Sequence, residues 1–144
     1  MKCEEVMKKN VRCISEGDTV QNAASKMSEG NFGFLPVCDD VGRPIGTLTD
    51  RDIAIRVAAE DRLASGTPVK QVMTREVIAC SPSDDLHTAE NLMAKNHKSR
   101  ILCVDDDGKL VGVISLSDLP RAAGAEEAFD TLRQVSEREA RPTP

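Results

Sequence analysis

The sequence predicts an α/β fold of the α+β kind, two pseudo-symmetric β-α-β-β-α repeats in one chain, and three observations predict it. First, the 144-residue chain matches itself without a gap at an offset of 66 residues, aligning residues 6–53 with 72–119. Twelve of those 48 pairs are identical, among them Met27/Met93, Gly42/Gly108, Gly46/Gly112 and Asp52/Asp118. A common α/β pattern explains matched apolar positions but not matched glycines and acids, so the chain reads as a duplication. Second, each copy strings short apolar runs around one helix-spaced stripe. Third, both copies close their last apolar run on one pattern, G-h-h-[ST]-x-x-D, with Thr47 standing at an apolar position of the first.

Taken in order, residues 11–14 and their counterparts 77–80 are short apolar runs that predict strands. Ser15 to Asp18 and Ser81 to Asp85 then supply helix-starting side chains. Val20, Ala23, Ala24 and Met27 fall at i, i+3, i+4 and i+7, and Leu86, Ala89 and Met93 keep the stripe, so each copy predicts a helix with one buried face. Gly30 and Asn96 are the expected helix ends. Two apolar segments follow in each copy, 34–38 and 45–48, then 101–104 and 110–114. Asp39-Asp40-Val41-Gly42 and Asp105-Asp106-Asp107-Gly108 join them, and acidic turns closed by glycine predict hairpins. As calcium loops they fail: with Gly108 sixth, Cys103 would be first and Ile114 twelfth, where carboxylates are needed. Pro120 pushes Leu119 out of helical geometry, so the last helix of the second copy is expected to kink or restart. Ala125, Ala128, Phe129 and Leu132 recur at helical spacing and put the restart near Ala125, while Arg141-Pro142-Thr143-Pro144 should fray. The expected layout is residues 1–66 for the first repeat, 67–124 for the second and 125–144 for a C-terminal helix and tail.

Composition narrows the function classes. Forty per cent hydrophobic and 30% charged residues suit a globular chain. Three Phe, no Trp and no Tyr leave few platforms for base stacking, and a net charge of −5 repels phosphodiester backbones, so no nucleic acid partner is expected. The five cysteines, Cys3, Cys13, Cys38, Cys80 and Cys103, have no metal-ligand spacing, so no metal site is expected. Their odd number, with no signal peptide, points to a reducing cytoplasm. Cys13, Cys38 and Cys103 lie in apolar runs and read as buried small hydrophobes, leaving Cys3 as the one to watch for cross-linking. No stretch approaches the ~20 apolar residues of a membrane span. The two histidines, His87 and His97, accompany no P-loop, dinucleotide or nucleophile-elbow motif, so no catalytic residue is expected. His97 reads as a surface residue.

The repeated pattern has two physical readings. Thr49 or Ser115 caps a helix while Asp52 or Asp118, three residues on, bonds back to the cap. Alternatively, the strand-to-helix junction offers amides and a positive dipole end to a phosphate, and the glycine three residues earlier removes a side chain where a ligand approaches the backbone. Both stay open on the residues alone.

Leu35-Pro36-Val37, the Asp-Asp-x-Gly turns, Gly46…Thr49…Asp52 and Gly112…Ser115…Asp118 together resemble the cystathionine-β-synthase-type (CBS) repeat, which occurs in tandem pairs called Bateman modules. The resemblance covers residues 1–122. Residues 33–40 and 46–53 are most similar to the small bacterial pairs that include the hypoxic response proteins. It implies CBS repeats packed through their sheets, leaving two clefts that take adenosine compounds such as AMP, ADP, ATP, NAD or S-adenosylmethionine. It also implies that Asp52 and Asp118 bond ribose hydroxyls and that Thr49 and Ser115 contact phosphate. Adenine would lie against Arg12-Cys13-Ile14 and Ile78-Ala79-Cys80 between aliphatic walls, with Pro36 at the first site and Leu102 in its place at the second. Phosphate needs positive charge, for which Arg51 and Arg100 are the candidates.

The expected function is therefore a cytoplasmic, non-enzymatic regulatory module. It would bind an adenine nucleotide as a regulatory ligand, require no cofactor, and pass its occupancy to an effector protein. A competing reading keeps the fold with empty clefts, the Thr/Asp and Ser/Asp pairs acting only as caps, in a stress-response dimer. A homodimer, by resemblance a flat disc of two pairs, is expected in either case, because Ile53, Val57 and Ala58 would otherwise be exposed.

Overall fold

Thr19 accepts the Asn22 amide at 3.1 Å and so starts helix α1 (Val20–Gly30), which ends where Asn31 enters the left-handed region at φ 53. The apolar runs after it form strands β1 (Phe34–Cys38) and β2 (Pro44–Thr49), an antiparallel hairpin whose turn places Gly42 at φ 88. Asp39 Oδ1 pins that turn by accepting the amides of Val41 and Arg43. Helix α2 (Asp50–Ile53) runs on into a π-helical turn over Ala54–Ala58. The computed structural model describes residues 1–119 and 125–140 and divides into two compact units. These elements belong to the unit Arg12–Val77; the other unit joins Met1–Val11 to the chain from Ile78 onward.

In the second unit the helix and the hairpin recur 66 residues later. That unit contains β3 (Ala79–Cys80), α3 (Leu86–Asn96), β4 (Arg100–Val104), β5 (Leu110–Ser115) and, after a 3-10 turn at Leu116–Asp118, α4 (Ala125–Ala140). Asp85 caps α3 by accepting the His87 amide at 2.9 Å, His97 takes the left-handed position at φ 53, and Gly108 the turn at φ 79. Both hairpins carry a register shift at matched positions, Val37/Cys38 and Cys103/Val104. The expected helix restart at Ala125 is where α4 begins. Leu119, expected to leave helical geometry, keeps it at φ −66 and ψ −42. Pro120 itself, the kink expected there and the fraying over 141–144 lie outside the described residues.

Each unit takes in the segment that opens the other copy. In the first, Val69 is fully buried and Thr74 bridges Thr47; in the second, Cys3 is fully buried and Lys8 bridges Val113, again 66 residues away. The first core gathers Ile14, Val20, Met27, Leu35, Val37 and Leu48; the second gathers Cys80, Leu86, Met93, Ile101, Cys103 and Ile114. On α4 the buried side chains are Ala128, Thr131 and Val135, whereas Phe129 and Leu132 are 68% and 48% exposed. Phe129 therefore flanks the buried stripe instead of forming it.

Several expectations are corrected. Residues 11–14 and 77–80 form less strand than their apolar runs predict: a single parallel bridge, Ile14 to Val37, and the two residues of β3. Pairing persists where Ile14 and Cys80 point into a core; Arg12, Cys13 and Val77 face outward, and nothing pins the strand there. Cys13 is exposed, not a buried hydrophobe, whereas Cys3 is in the core 3.7 Å from Cys80 and is no cross-linking candidate. Burial pushes the Cys3 and Cys38 thiols up to about 12, so neither forms thiolate readily. His97 is half-buried, its Nδ1 2.9 Å from the Gln134 carbonyl on α4. Val57 is 3% exposed within its own unit and Ile53 half-buried, leaving Ala54, Ile55 and Ala58 as the exposed apolar residues of that stretch. Among the described residues, no helix is long and apolar enough to cross a membrane.

Candidate functional site

At the first motif, Thr49 leaves β2 extended and caps α2. Its Oγ1 accepts the Asp52 amide at 3.1 Å, and Asp52 Oδ2 accepts the Thr49 amide at 2.9 Å, a reciprocal capping box. Both side chains are half-buried, and Arg51 beside them is exposed. Thr49 pairs in register with Phe34 across the hairpin. Ile14 and Pro36 are buried next to each other, the Ile14 amide donating to the Pro36 carbonyl at 3.0 Å and the Ile14 carbonyl accepting from the Cys38 amide at 2.9 Å. The Ile14 backbone is thus engaged by β1, and Cys13 is the neighbouring position that faces outward.

The second motif is built alike with different polar dressing. Asp118 Oδ2 accepts from the Ser115 amide at 2.8 Å and from the Ser115 hydroxyl at 2.9 Å, while the Ser115 and Ser117 hydroxyls lie 2.8 Å apart. Lys8 Nζ stands 3.8 Å from Asp118 Oδ1, a loose pair because the lysine is largely exposed. Ser115 pairs in register with Arg100, the position that Phe34 holds in the first copy, and Arg100 is exposed. Ala79 is half-buried and Cys80 buried in β3 beside β4. A cavity of about 610 Å³ opens here, with Arg100, Ser115 and Ser117 at its polar part and Leu116, Phe129 and Leu132 among its apolar walls. Asp118, Ala79 and Cys80 do not line it.

The shared glycines serve packing, not the ligand approach read from the sequence. A Cβ on Gly46 would stand 2.5 Å from the Thr74 carbonyl oxygen, and one on Gly112 would stand 2.5 Å from Met7 Sδ. Each glycine thus seats the leading segment of its unit against the hairpin.

The structure brings Thr49 to Asp52, as the spacing predicts, and sets Arg100 against Ser115, which the spacing does not; four further residues were missed. Phe34 and Phe129 put aromatic rings beside motifs expected to have only aliphatic surroundings. Lys8 was hidden because its counterpart at the 66-residue offset is the uncharged Thr74. Arg56 donates from Nη1 to the carbonyls of Val72 at 2.9 Å and Met73 at 3.2 Å, fastening the π-helical turn to the leading segment; a lone arginine on a surface helix carries no signal for that.

Comparison with known proteins agrees with this duplication. A family model described as the CBS domain matches residues 3–59 and again 69–125. The CBS domain-containing protein YhcV of Bacillus subtilis (strain 168) is 40% identical over 134 residues, 92% of this chain and 94% of YhcV. Other relatives are longer, and the chain spans 25% and 23% of two of them. Among solved structures, Hypoxic Response Protein I, with two coordinated zinc ions, superposes with a TM-score of 0.78 at 26% identity, covering 86% of this chain and 100% of that one. CBSX2 in complex with AMP superposes with a TM-score of 0.73 at 27% identity, covering 84% of this chain and 94% of its own.

Proposed function

The chain belongs to the CBS domain family, and from that premise we propose that it is a regulatory module that binds an adenosine nucleotide at its two motifs and catalyses no reaction. The observation that carries the reading is the register of Arg100 opposite Ser115 beside the 610 Å³ cavity. A guanidinium and two hydroxyls at one end of a mostly apolar space suit a phosphate attached to a flat base, and the volume falls within the usual range of small-molecule sites. CBSX2 binding AMP supports the same ligand class. AMP is the ligand proposed first, with ADP, ATP, NAD and S-adenosylmethionine as competitors. The capping boxes do not argue against it. Each carboxylate gives Oδ2 to its cap, and a carboxylate offers about four lone-pair sites over two oxygens. Asp52 and Asp118 therefore remain the proposed ribose acceptors, Thr49 and Ser115 the phosphate contacts, and Arg51 and Arg100 the cations. Inside the cavity the base would lie against Leu116, Phe129 and Leu132, while Cys13, Ile14, Pro36, Ala79 and Cys80, the base-side positions the resemblance implies, are not among its walls.

A thermal-shift panel of the five ligands tests this. One of them should raise the melting temperature by several degrees at 100-fold excess over its Kd, because binding to the folded state alone adds about 2.7 kcal/mol there. Arg100→Ala should remove most of that shift, and no shift with any of the five contradicts the reading. The ligand-free interaction module is favoured by one observation, that both motifs already satisfy their own polar groups, and the same null result would select it.

The reading includes a cytoplasmic homodimer that reports occupancy to an effector protein. Ile55 and Leu63, 49% and 74% exposed, are apolar residues that a second copy would cover. Light scattering should give about twice the 15.6 kDa chain mass, and a mass of 15.6 kDa at every concentration counts against the dimer.

A further inference from the structure

Away from both motifs, α3 and α4 bring together three side chains that the nucleotide reading leaves unused. His87 and Glu90 lie one turn apart on α3, Glu127 lies in the first turn of α4, and their ligating atoms are all within 4.8 Å of one another. We propose that His87, Glu90 and Glu127 form a divalent transition-metal site that clips α4 to α3. One imidazole nitrogen and two carboxylates form the donor set of zinc and its neighbours, whereas calcium and magnesium take oxygen alone. Three protein ligands leave a fourth position for water. Four-coordinate zinc needs its donors about 3.3 Å apart, and His87 and Glu127 are exposed side chains able to close that distance.

Glu90 separates this set from a scatter of surface acids. It is 4% exposed, Glu127 and Asp85 stand near it with the same sign of charge, and no ion pair among the described residues involves it. The Thr131 hydroxyl, which also donates to the Glu127 carbonyl at 3.0 Å, hydrogen-bonds the Glu90 carboxyl, and His87 is the nearby group whose charge favours its ionised form. A buried carboxylate beside a second carboxylate is costly unless something positive joins them, and a metal bridging the two helices supplies that charge. The clip would also steady α4, from which Phe129 and Leu132 line the cavity beside Ser115.

Calorimetric titration of the full chain with Zn²⁺, paired with Co²⁺ absorption, tests the site. The expected result is one Zn²⁺ per chain and cobalt ligand-field bands without thiolate charge transfer. His87→Ala and Glu127→Ala should each weaken zinc binding by at least about tenfold while melting like the parent in chelator, since both side chains are exposed. Absence of zinc binding, unchanged affinity in both variants, or a thiolate-dominated cobalt spectrum that places the metal on cysteine would each overturn the proposal.

Discussion

Removal of residues 1–8 is expected to destabilise the unit carrying β3, α3, β4 and β5 by roughly 4 kcal/mol, on the scale of about 1 to 2 kcal/mol for each buried apolar side chain lost. The truncation takes Cys3 from the core, together with the packing of Val6 and Met7 against it. It also removes the Cys3 amide bond to the Asp84 carbonyl at 2.9 Å, the Leu86 amide bond to the Met1 carbonyl at 2.8 Å, and the bridge of Lys8 to Val113. Chain order suggests the opposite target, since these residues open the first repeat. Amide exchange decides: protection should collapse in β4 and β5 and persist in β1 and β2. Equal loss in both hairpins, or loss confined to β1 and β2, contradicts the exchanged leading segments.

Gly46→Ala is expected to cost about 2 to 3 kcal/mol and Gly112→Ala about 1 kcal/mol, although the two glycines are counterparts. The new Cβ at Gly46 meets the Thr74 carbonyl oxygen at 2.5 Å. That carbonyl accepts the Thr47 amide at 2.9 Å, and the Thr74 amide donates back to Thr47 at 2.9 Å, so relief requires breaking a two-bond bridge. At Gly112 the obstacles are Met7 Sδ at 2.5 Å, Cγ at 2.8 Å and Cβ at 3.0 Å; rotation of the side chain carries Sδ and Cγ aside, and only the Cβ contact then asks the backbone to give. Urea midpoints at constant m-value measure the difference. Equal midpoints for the two variants would mean that the Thr74 segment yields as easily as a methionine side chain.

The duplication explains why so much of the fold was legible. Once residues 6–53 are laid on 72–119, each element is read twice, and α1 and α3, β1 and β4, β2 and β5 begin and end 66 residues apart. Side-chain chemistry fixed the turns because Gly42 and Gly108 occupy left-handed backbone and Asp39 and Asp105 bond the amides that follow. Less legible was anything settled by which segment joins which unit. Cys3 stands near the start of the chain, where fraying is the ordinary expectation, yet it fills the core place that Val69 fills in the first unit. Gly46 and Gly112 gave the correct signal, a close approach, but the approaching group is protein. At the motifs, the Thr49/Asp52 and Ser115/Asp118 contacts are local and follow from spacing. The register that sets Arg100 against Ser115 and Phe34 against Thr49 depends on hairpin geometry. The helical spacing of Ala125, Ala128, Phe129 and Leu132 located α4 but did not say which face it buries. The face that α4 buries is Ala128, Thr131 and Val135, one polar residue included, and Thr131 is admitted because its hydroxyl bonds the Glu127 carbonyl.

The account turns on occupancy of the two motifs by a nucleotide, and calorimetric titration of AMP into the parent chain and an Asp52→Ala/Asp118→Ala variant tests it most directly. Saturable heat from the parent, and its loss in a variant whose circular dichroism is unchanged, is the predicted result. Heat of the same size and affinity in the variant, or none from the parent, would contradict it.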